Sequence, residues 1–340
     1  MNTLNKKFII TGDIHFRGTN PRARLDTYME AITGKIYEVY DLARRYKTEA
    51  LIIPGDIFDS PGTSWSVATE LAMILQQSPC PVLTIHGNHD VYGGNAESKY
   101  RTPYGLLARV GIVRDIEDNP VIKDGVVISG HGFTVETDTV NGKGQFNPLN
   151  ASAACFNIHV VHSMLMDHTP PFDMRHTLIS QVKTTAKVII SGHLHTGFGR
   201  SGKEGYVFRR DDGVLFINPG ALCRLSAHHA EMERPVQVAL LEVDTSGNAS
   251  SHVALIPLRS ALPGHEVLSR EHLENEVERE ARLEKFLSLL ASEGESKFLE
   301  VRDIIEDIAA REQLPGNVKA DALKRIGEAR EQLGKGVQVQ

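Results

Sequence analysis

Apolar positions along the chain fall into two rhythms. Phe8-Ile9-Ile10, Leu51-Ile52-Ile53, Val82-Leu83-Thr84-Ile85, Ile158 to Val161 and Val188-Ile189-Ile190 are short apolar stretches, which predict buried β-strands. Between the first two, Leu25, Tyr28, Met29, Ile32, Ile36, Val39, Tyr40 and Ala43 recur at helical spacing and predict a long amphipathic helix. Trp65, Ala68, Leu71, Ala72 and Leu75 predict another between the second and third runs. Strand, helix, strand, helix, strand implies βαβ crossovers and a mainly parallel sheet. After Gly111 the strands shorten, as in Val126-Val127-Ile128, and a polar, glycine-containing loop runs from Glu136 to Asn150. That change points to a second sheet. The expected fold class is α/β, a four-layer sandwich of two mixed β-sheets flanked by helices.

Beyond Pro257 the pattern becomes helical throughout. Leu273, Val277, Ala281, Leu283 and Phe286 to Leu290 form one run; Phe298, Val301, Ile304, Ile305 and Ile308 a second; Val318, Ala322, Ile326, Ala329 and Leu333 a third. Gly294 and Pro315-Gly316 punctuate them. The expected division is a domain over 1–258 and a helical C-terminal module over 259–340. Short amphipathic helices need a surface to cover their apolar stripes, so the module is expected to dock a partner, pack on its own domain or form a homodimer.

Composition narrows the setting. Within the 340 residues no apolar stretch approaches the roughly 18 residues of a membrane helix, and the first strand begins within ten residues of Met1, so neither a membrane span nor a signal peptide is expected. The expected location is cytoplasmic, where Cys80, Cys155 and Cys223, scattered and odd in number, read as buried reduced thiols. The glycosylation patterns at Asn150 and Asn248 then have no role. The net charge of −6 argues against strong nucleic-acid binding. From Arg259 onward, however, 13 basic face 17 acidic residues, so the tail carries −4 and the remainder only −2.

Candidate chemistry clusters where the apolar runs end. Asp13-Ile14-His15, Gly55-Asp56-Ile57-Phe58-Asp59, Gly87-Asn88-His89-Asp90, His162 and Gly192-His193-Leu194-His195 each follow or close a predicted strand. In open α/β sheets the loops beyond the carboxyl ends of the strands converge on one crevice. Asp13, His15, Asp56, Asn88, His162, His193 and His195 would then surround a pair of divalent ions, which lie roughly 3.5 to 4 Å apart and need a shared anionic bridge. Imidazole, carboxylate and amide oxygen suit Mn, Fe, Zn or Ni better than Mg or Ca, and the absence of thiolates argues against a structural zinc site.

These motifs, in this order, resemble the calcineurin-like metallophosphoesterase superfamily, and within it most closely the SbcD type of DNA repair nuclease. The resemblance covers roughly residues 6 to 258, including Asn218-Pro219-Gly220-Ala221 and the strand Pro235 to Val243, and leaves out the tail. It implies that Asp56 bridges two metals, with Asp13, His15 and His195 on one and Asn88, His162 and His193 on the other. His89 would be the general acid and Asp59 its orienter. Mn²⁺ is the ion expected, with Mg²⁺, Fe, Zn and Ni as alternatives. The implied activity is DNA exonuclease and endonuclease cleavage in recombination, repair or replication. The implied partners are DNA and an SbcC-like, SMC-type coiled-coil ATPase bound through the C-terminal helices. The tail is too short and too uniformly helical for the α/β capping domain of larger members.

Arg17, Arg22, Arg24, Lys99, Arg101, Arg200, Lys203, Arg209 and Arg210 follow the motifs, and Arg17, Arg22, Arg101 and Arg200 are the candidate phosphate contacts. His131 and His159 are expected to be structural, and His86, His228, His229 and Glu231 are assigned no role. Two other functions compete. A small phosphodiester or phosphomonoester could be the substrate; phosphoprotein phosphatases of this type typically carry Gly-Asn-His-Glu and an Arg where this chain has Asp90 and Ser60. A non-catalytic scaffold would have lost ligands, and all seven are present.

Overall fold

Strands covered on both faces are buried along their whole length, and polar side chains in them need partners. In the computed structural model, which describes residues 5–148, 151, 155–170, 173–198, 205–246, 250–269, 305–306, 308–310 and 314–325, every residue of Ala50–Ile53 and Phe156–Ser163 is buried. In chain order the elements are β1 (Asn5–Ile10), α1 (Tyr28–Tyr46), β2 (Ala50–Ile53), α2 (Trp65–Gln76), β3 (Val82–Thr84), α3 (Pro103–Arg109), β4 (Arg114–Asp115), β5 (Val121–Lys123), β6 (Val126–His131), β7 (Phe156–Ser163), β8 (Leu165–Met166), β9 (Thr177–Leu178), β10 (Val188–His193), β11 (Val207–Arg209), β12 (Leu215–Ile217), α4 (His229–Glu233), β13 (Gln237–Asp244), β14 (Ser250–Pro257) and α5 (Gly264–Val267).

Two six-stranded sheets result, ordered β14-β13-β1-β2-β3-β4 and β11-β12-β10-β7-β6-β5. In the first, β1 to β4 run parallel and β13 and β14 return antiparallel. In the second, β6, β7, β10 and β12 run parallel between antiparallel edge strands. The expected pair of mixed sheets with flanking helices is present. Alternate residues of each strand fill the space between the sheets: Phe8, Ile10, Ile52 and Leu83 from one, Ile128, Ile158, Val160 and Ile190 from the other.

The outer face of the first sheet, with Ile9, Leu51 and Ile53, packs on α1 and α2 through Ile32, Ile36, Val39, Leu71 and Leu75. The predicted helical stripes shift slightly at their N-terminal ends. Leu25 precedes α1 and is exposed, and Trp65, the first residue of α2, is exposed while Ile74 takes a core position. Ser64 caps α2, and Thr102 with Pro103 starts α3. The outer face of the second sheet is covered by Phe146, Leu165, Ile179 and Phe198, carried on short 3-10 turns, the two-residue strand β8 and a loop.

Residues Met1–Ser269 form one compact unit and Arg270–Gln340 another. The segment just past the expected boundary at Leu258 belongs to the first unit, where Val267 and Leu268 are buried and Leu268 bridges to Arg24. Within the second unit, 316–325 is helical behind Pro315. The expected first helix over 273–290, the second over 298–304, and the end of the third from Ile326 lie outside the described residues, as do Asn150 and Asn248, while residues 305–306 and 308–310, at and just past the end of the second run, are helical. No described helix is long and apolar enough to cross a membrane.

Candidate metal centre

The loops leaving β1 and β2 are zipped together by main-chain bonds. Thr11 donates to the carbonyl of Ile52, Ile14 and His15 both donate to the carbonyl of Asp56, and Phe16 donates to Ile57. Asp13 and Asp56 are thereby brought to one place from separate strands. His162 lies inside β7, next to β10 in register with Gly192, so the fourth and last motifs meet the same crevice. Close approach depends on glycine: a Cβ at Gly55, whose φ is +102°, would stand 2.4 Å from His162 Nδ1, and one at Gly87 would stand 2.1 Å from Asp56 Oδ1.

One carboxylate oxygen faces both halves of the centre. Asp56 Oδ2 is 3.5 Å from His15 Nε2 and 3.2 Å from His162 Nε2. On the first side, His15 Nε2 and His195 Nε2 approach to 3.0 Å, and Asp13 Oδ2 lies 3.4 Å from His195 and 3.9 Å from His15. On the second, His162 Nε2 is 3.0 Å from Asn88 Oδ1, and His193 and Asp56 offer atoms within 4.8 Å of one another and of His162. All seven candidate ligands come together. Such a set of imidazoles, carboxylates and one amide oxygen can hold a pair of divalent transition ions.

The surroundings fix these groups before any ligand arrives. His162 Nδ1 lies 2.7 Å from the carbonyl of Pro54, which directs Nε2 to the centre, and the main-chain N–H of His193 donates to Asp13. Burial works against a charged His162, yet Asp56 beside it holds the ring up to about 10. His193 is pushed down to about 4, by burial and then by the charge of His162. Asp13 and Asp56, although buried, are held below the usual carboxylate range by the histidines around them. His15, Asp56 and His193 adopt φ values of +48°, +47° and +79°. A left-handed conformation at non-glycine residues is strained, on the order of 1–3 kcal/mol each, and such strain concentrates at functional sites.

His89 stands beside the centre, its ring edge-on to His15 at 4.7 Å and its main-chain N–H donating to Asp56 Oδ1 at 2.8 Å. Its Nδ1 contacts Asp59, but at the main-chain carbonyl, 2.8 Å away. The Asp59 carboxylate turns instead to Arg17, at 2.9 Å, with His15 Nδ1 at 3.6 Å. The expected orienter is in contact through a different atom. Asp90 ends the motif structurally: its oxygens accept the N–H groups of Gly87, Ile57 and Phe58, tying two site loops together.

The candidate phosphate contacts disperse. Arg17 pairs with Asp59 and Thr19, Arg22 is exposed and engaged elsewhere, Arg101 is exposed, and Arg200 and Lys203 lie outside the described residues. Lys99 is buried among Asp115, Glu117 and Asp118 at 3.0 to 3.2 Å, so its ammonium already fills the acidic cluster beside His86. Arg24 binds Asp26 through two bonds, and Arg210 binds Asp212 and two carbonyls. An ion pair costs less to bury than a lone cation, and nearby carboxylates claim these side chains. His159 is buried between Ser129 and the carbonyl of Gln145, and His131 contacts the carbonyl of Gly132.

Two neighbours of the centre escape a reading of the motifs. Cys223 is buried with Sγ within 4.8 Å of ring nitrogens of His15 and His195. The half-buried Phe133 lies with its ring centre 5.7 Å from that of His193 and 6.2 Å from that of His162. The only sequence signal for either was position: Cys223 shortly after Asn218-Pro219-Gly220, Phe133 just past the end of β6.

Residues 6–197 match the family described as calcineurin-like phosphoesterase. No curated protein matches the chain. Among solved structures, the calcineurin-like phosphoesterase YfkN from Bacillus subtilis is 13% identical, with a TM-score of 0.46, over 75% of this chain and 91% of that one. A putative 5'-nucleotidase from Staphylococcus aureus in complex with alpha-ketoglutarate is 14% identical, with a TM-score of 0.45, over 74% of this chain and 54% of that one. A dimetal phosphatase from Danio rerio is 11% identical, with a TM-score of 0.43, over 74% of this chain and 98% of that one.

Proposed function

This chain belongs to the calcineurin-like phosphoesterase family, and from that premise we propose that it is a two-metal phosphodiesterase of the SbcD type, acting on DNA. The observation that carries the reading is Asp56, whose Oδ2 faces His15 and His162 while its Oδ1 accepts the N–H of His89. One carboxylate would thereby bridge two cations and position the candidate acid. Asp13, His15 and His195 would hold one ion, and Asn88, His162 and His193 the other, with Mn²⁺ as the expected metal. Two bound divalent ions supply neutralisation of phosphoryl charge and an acidified water for in-line attack. His89, fixed through Nδ1 on the Asp59 carbonyl, would present Nε2 to the leaving oxygen and donate its proton there, a step worth about 10² to 10⁴ in rate. A cleft of about 370 Å³ lined by Arg17, Thr19, Asp59, Ser60 and Thr63 adjoins it through Asp59 and would take part of a substrate larger than the phosphate itself. The C-terminal helices would recruit the coiled-coil ATPase, or a second copy.

A second reading, a small phosphoester as substrate, is favoured by one finding. Arg24, Lys99 and Arg210, three of the basic residues that follow the motifs, are withdrawn into ion pairs. The deciding experiment incubates the full chain with linear DNA, closed-circular DNA and bis(p-nitrophenyl) phosphate in Mn²⁺ or Mg²⁺. Cleavage of DNA at rates comparable to the aryl diester supports the nuclease. Turnover of the aryl diester with intact DNA selects the small-substrate reading, and no turnover of any substrate with either metal refutes both.

A further inference from the structure

Away from the metal centre, the start of α1 and the segment after β14 enclose a cavity of about 280 Å³ lined by Arg24, Thr27, Lys35, Arg224, Ser260 and Leu262. Its cations are unusually deep. Arg24, Lys35 and Arg224 are 8%, 4% and 5% exposed, and Arg234, nearby, is 4% exposed. Two of the four have carboxylate partners: Arg24 on Asp26 and Arg234 on Glu231. Arg224 spends its guanidinium on the main-chain carbonyls of Glu231, Leu262 and Arg234. Lys35 makes one hydrogen bond among the described residues, from Nζ to the carbonyl of Leu222 at 3.0 Å, although an ammonium has three protons to give. Asp26 and Glu30 also line the cavity, but Asp26 is taken by Arg24 and Glu30 is exposed.

Two buried positive charges therefore lack a carboxylate partner among the described residues, and burial of unpaired charge is among the costliest arrangements in a protein. Burial, and then the guanidinium of Arg24, push the Lys35 ammonium down to about 7. The start of α1 adds to the field: Asn20 Oδ1, not the Thr27 side chain, accepts the N–H of Tyr28, and the positive end of the helix dipole favours negative charge. We propose that this cavity is a second ligand site, separate from the metal centre, which binds a small phosphate-type oxyanion through Lys35 with Arg224 and Arg24 around it. The proposal does not depend on the substrate of the metal centre.

The test uses the full chain, stripped of metal with a chelator that is then removed, at constant ionic strength. Inorganic phosphate and, separately, sulfate are titrated against the thermal midpoint. The wild-type chain should show a saturable rise of at least about 2 °C at ligand concentrations far above the dissociation constant. Lys35→Met should be as stable as the wild type or more so without phosphate, because an unpaired buried charge is gone, and should lose the saturable rise. Thr27→Glu leaves every buried group in place and puts a carboxylate at the mouth, so it should lose the rise too, even if the Lys35 variant does not fold. No saturable rise in the wild type overturns the proposal. So does an equal rise in wild type and Thr27→Glu, since it locates the anion elsewhere, and so does a linear rise shared by all variants, which is the general salting effect of these ions.

Discussion

His89 Nδ1 lies 2.8 Å from the main-chain carbonyl of Asp59, while the carboxylate of the same residue is bound to Arg17. A main-chain acceptor fixes the imidazole tautomer as well as a carboxylate would, but without placing a negative charge against the ring. Substituting the Asp59 side chain should therefore spare the orientation of His89. Asp59→Ala is expected to lower kcat on an unactivated phosphodiester far less than His89→Ala, whose loss should reach about 10² to 10⁴. An aryl ester with a good leaving group needs little protonation and should be spared in His89→Ala. Equal losses on both substrates remove His89 from the acid role, and a loss in Asp59→Ala as large as in His89→Ala restores the carboxylate to it.

Asp56→Ala should abolish binding of both ions, because the oxygen that faces both halves of the centre is lost and cation repulsion goes unscreened. Elemental analysis of the purified variant reads this directly. One or two ions retained per chain would show that Asp56 is not a shared bridge.

His159 gives the fold an acid sensitivity separate from the metal centre. Burial lowers its pKa from 6.5 to about 4, against the hydrogen bond to Gln145 that raises it. Below pH 6.5 the unfolded chain takes up a proton that the folded one refuses until about pH 4, so stability falls as pH falls through that window, by up to about 3 kcal/mol. Urea unfolding at pH 7 and pH 4.5 should show a smaller drop for His159→Gln than for the wild type. An equal drop assigns the acid sensitivity to other groups.

Cys223 should be inert in the folded protein. Its thiol is fully buried and pushed up to about 12 by burial and then by Glu231, whereas Cys80 and Cys155 are partly exposed. Brief alkylation followed by mass spectrometry should label Cys80 and Cys155 in the native chain, and Cys223 only after denaturation. Labelling of native Cys223 would mean that the floor of the centre opens.

The tail should be dispensable for chemistry, since every candidate ligand lies upstream of Ser269, where the first compact unit ends. A chain ending there should keep its turnover of a small phosphodiester and lose association with a coiled-coil ATPase or its own copy, as read by size-exclusion chromatography with light scattering. Ile304→Asp with Ile308→Asp should mimic that loss. Normal association by both variants places the binding surface elsewhere.

The convergence of the candidate ligands was legible because they sit in contiguous motifs at strand ends, where residue type and position both register. Helix faces were less so: the exposure of Trp65 and the burial of Ile74 follow from how α2 meets the sheet, which periodicity alone does not orient. Basic residues near the motifs were the least legible. Whether Lys99 meets a substrate phosphate or Asp115 depends on a carboxylate that arrives from another strand, sixteen residues away in sequence. Cys223 and Phe133 reach the site through tertiary contact alone, and their residue types are common in ordinary cores.

The left-handed backbone at His15, Asp56 and His193 has a consequence for the history and engineering of such a chain. Asparagine or glycine would hold the backbone at these positions with less strain, most simply at His15 and His193, since Asp56 is also paired with His162. Under the proposed roles, heat resistance and turnover would pull in opposite directions at His15 and His193. A library screened for thermal survival alone would be expected to erase the chemistry at these residues first, leaving a sturdier fold with nothing to hold a metal.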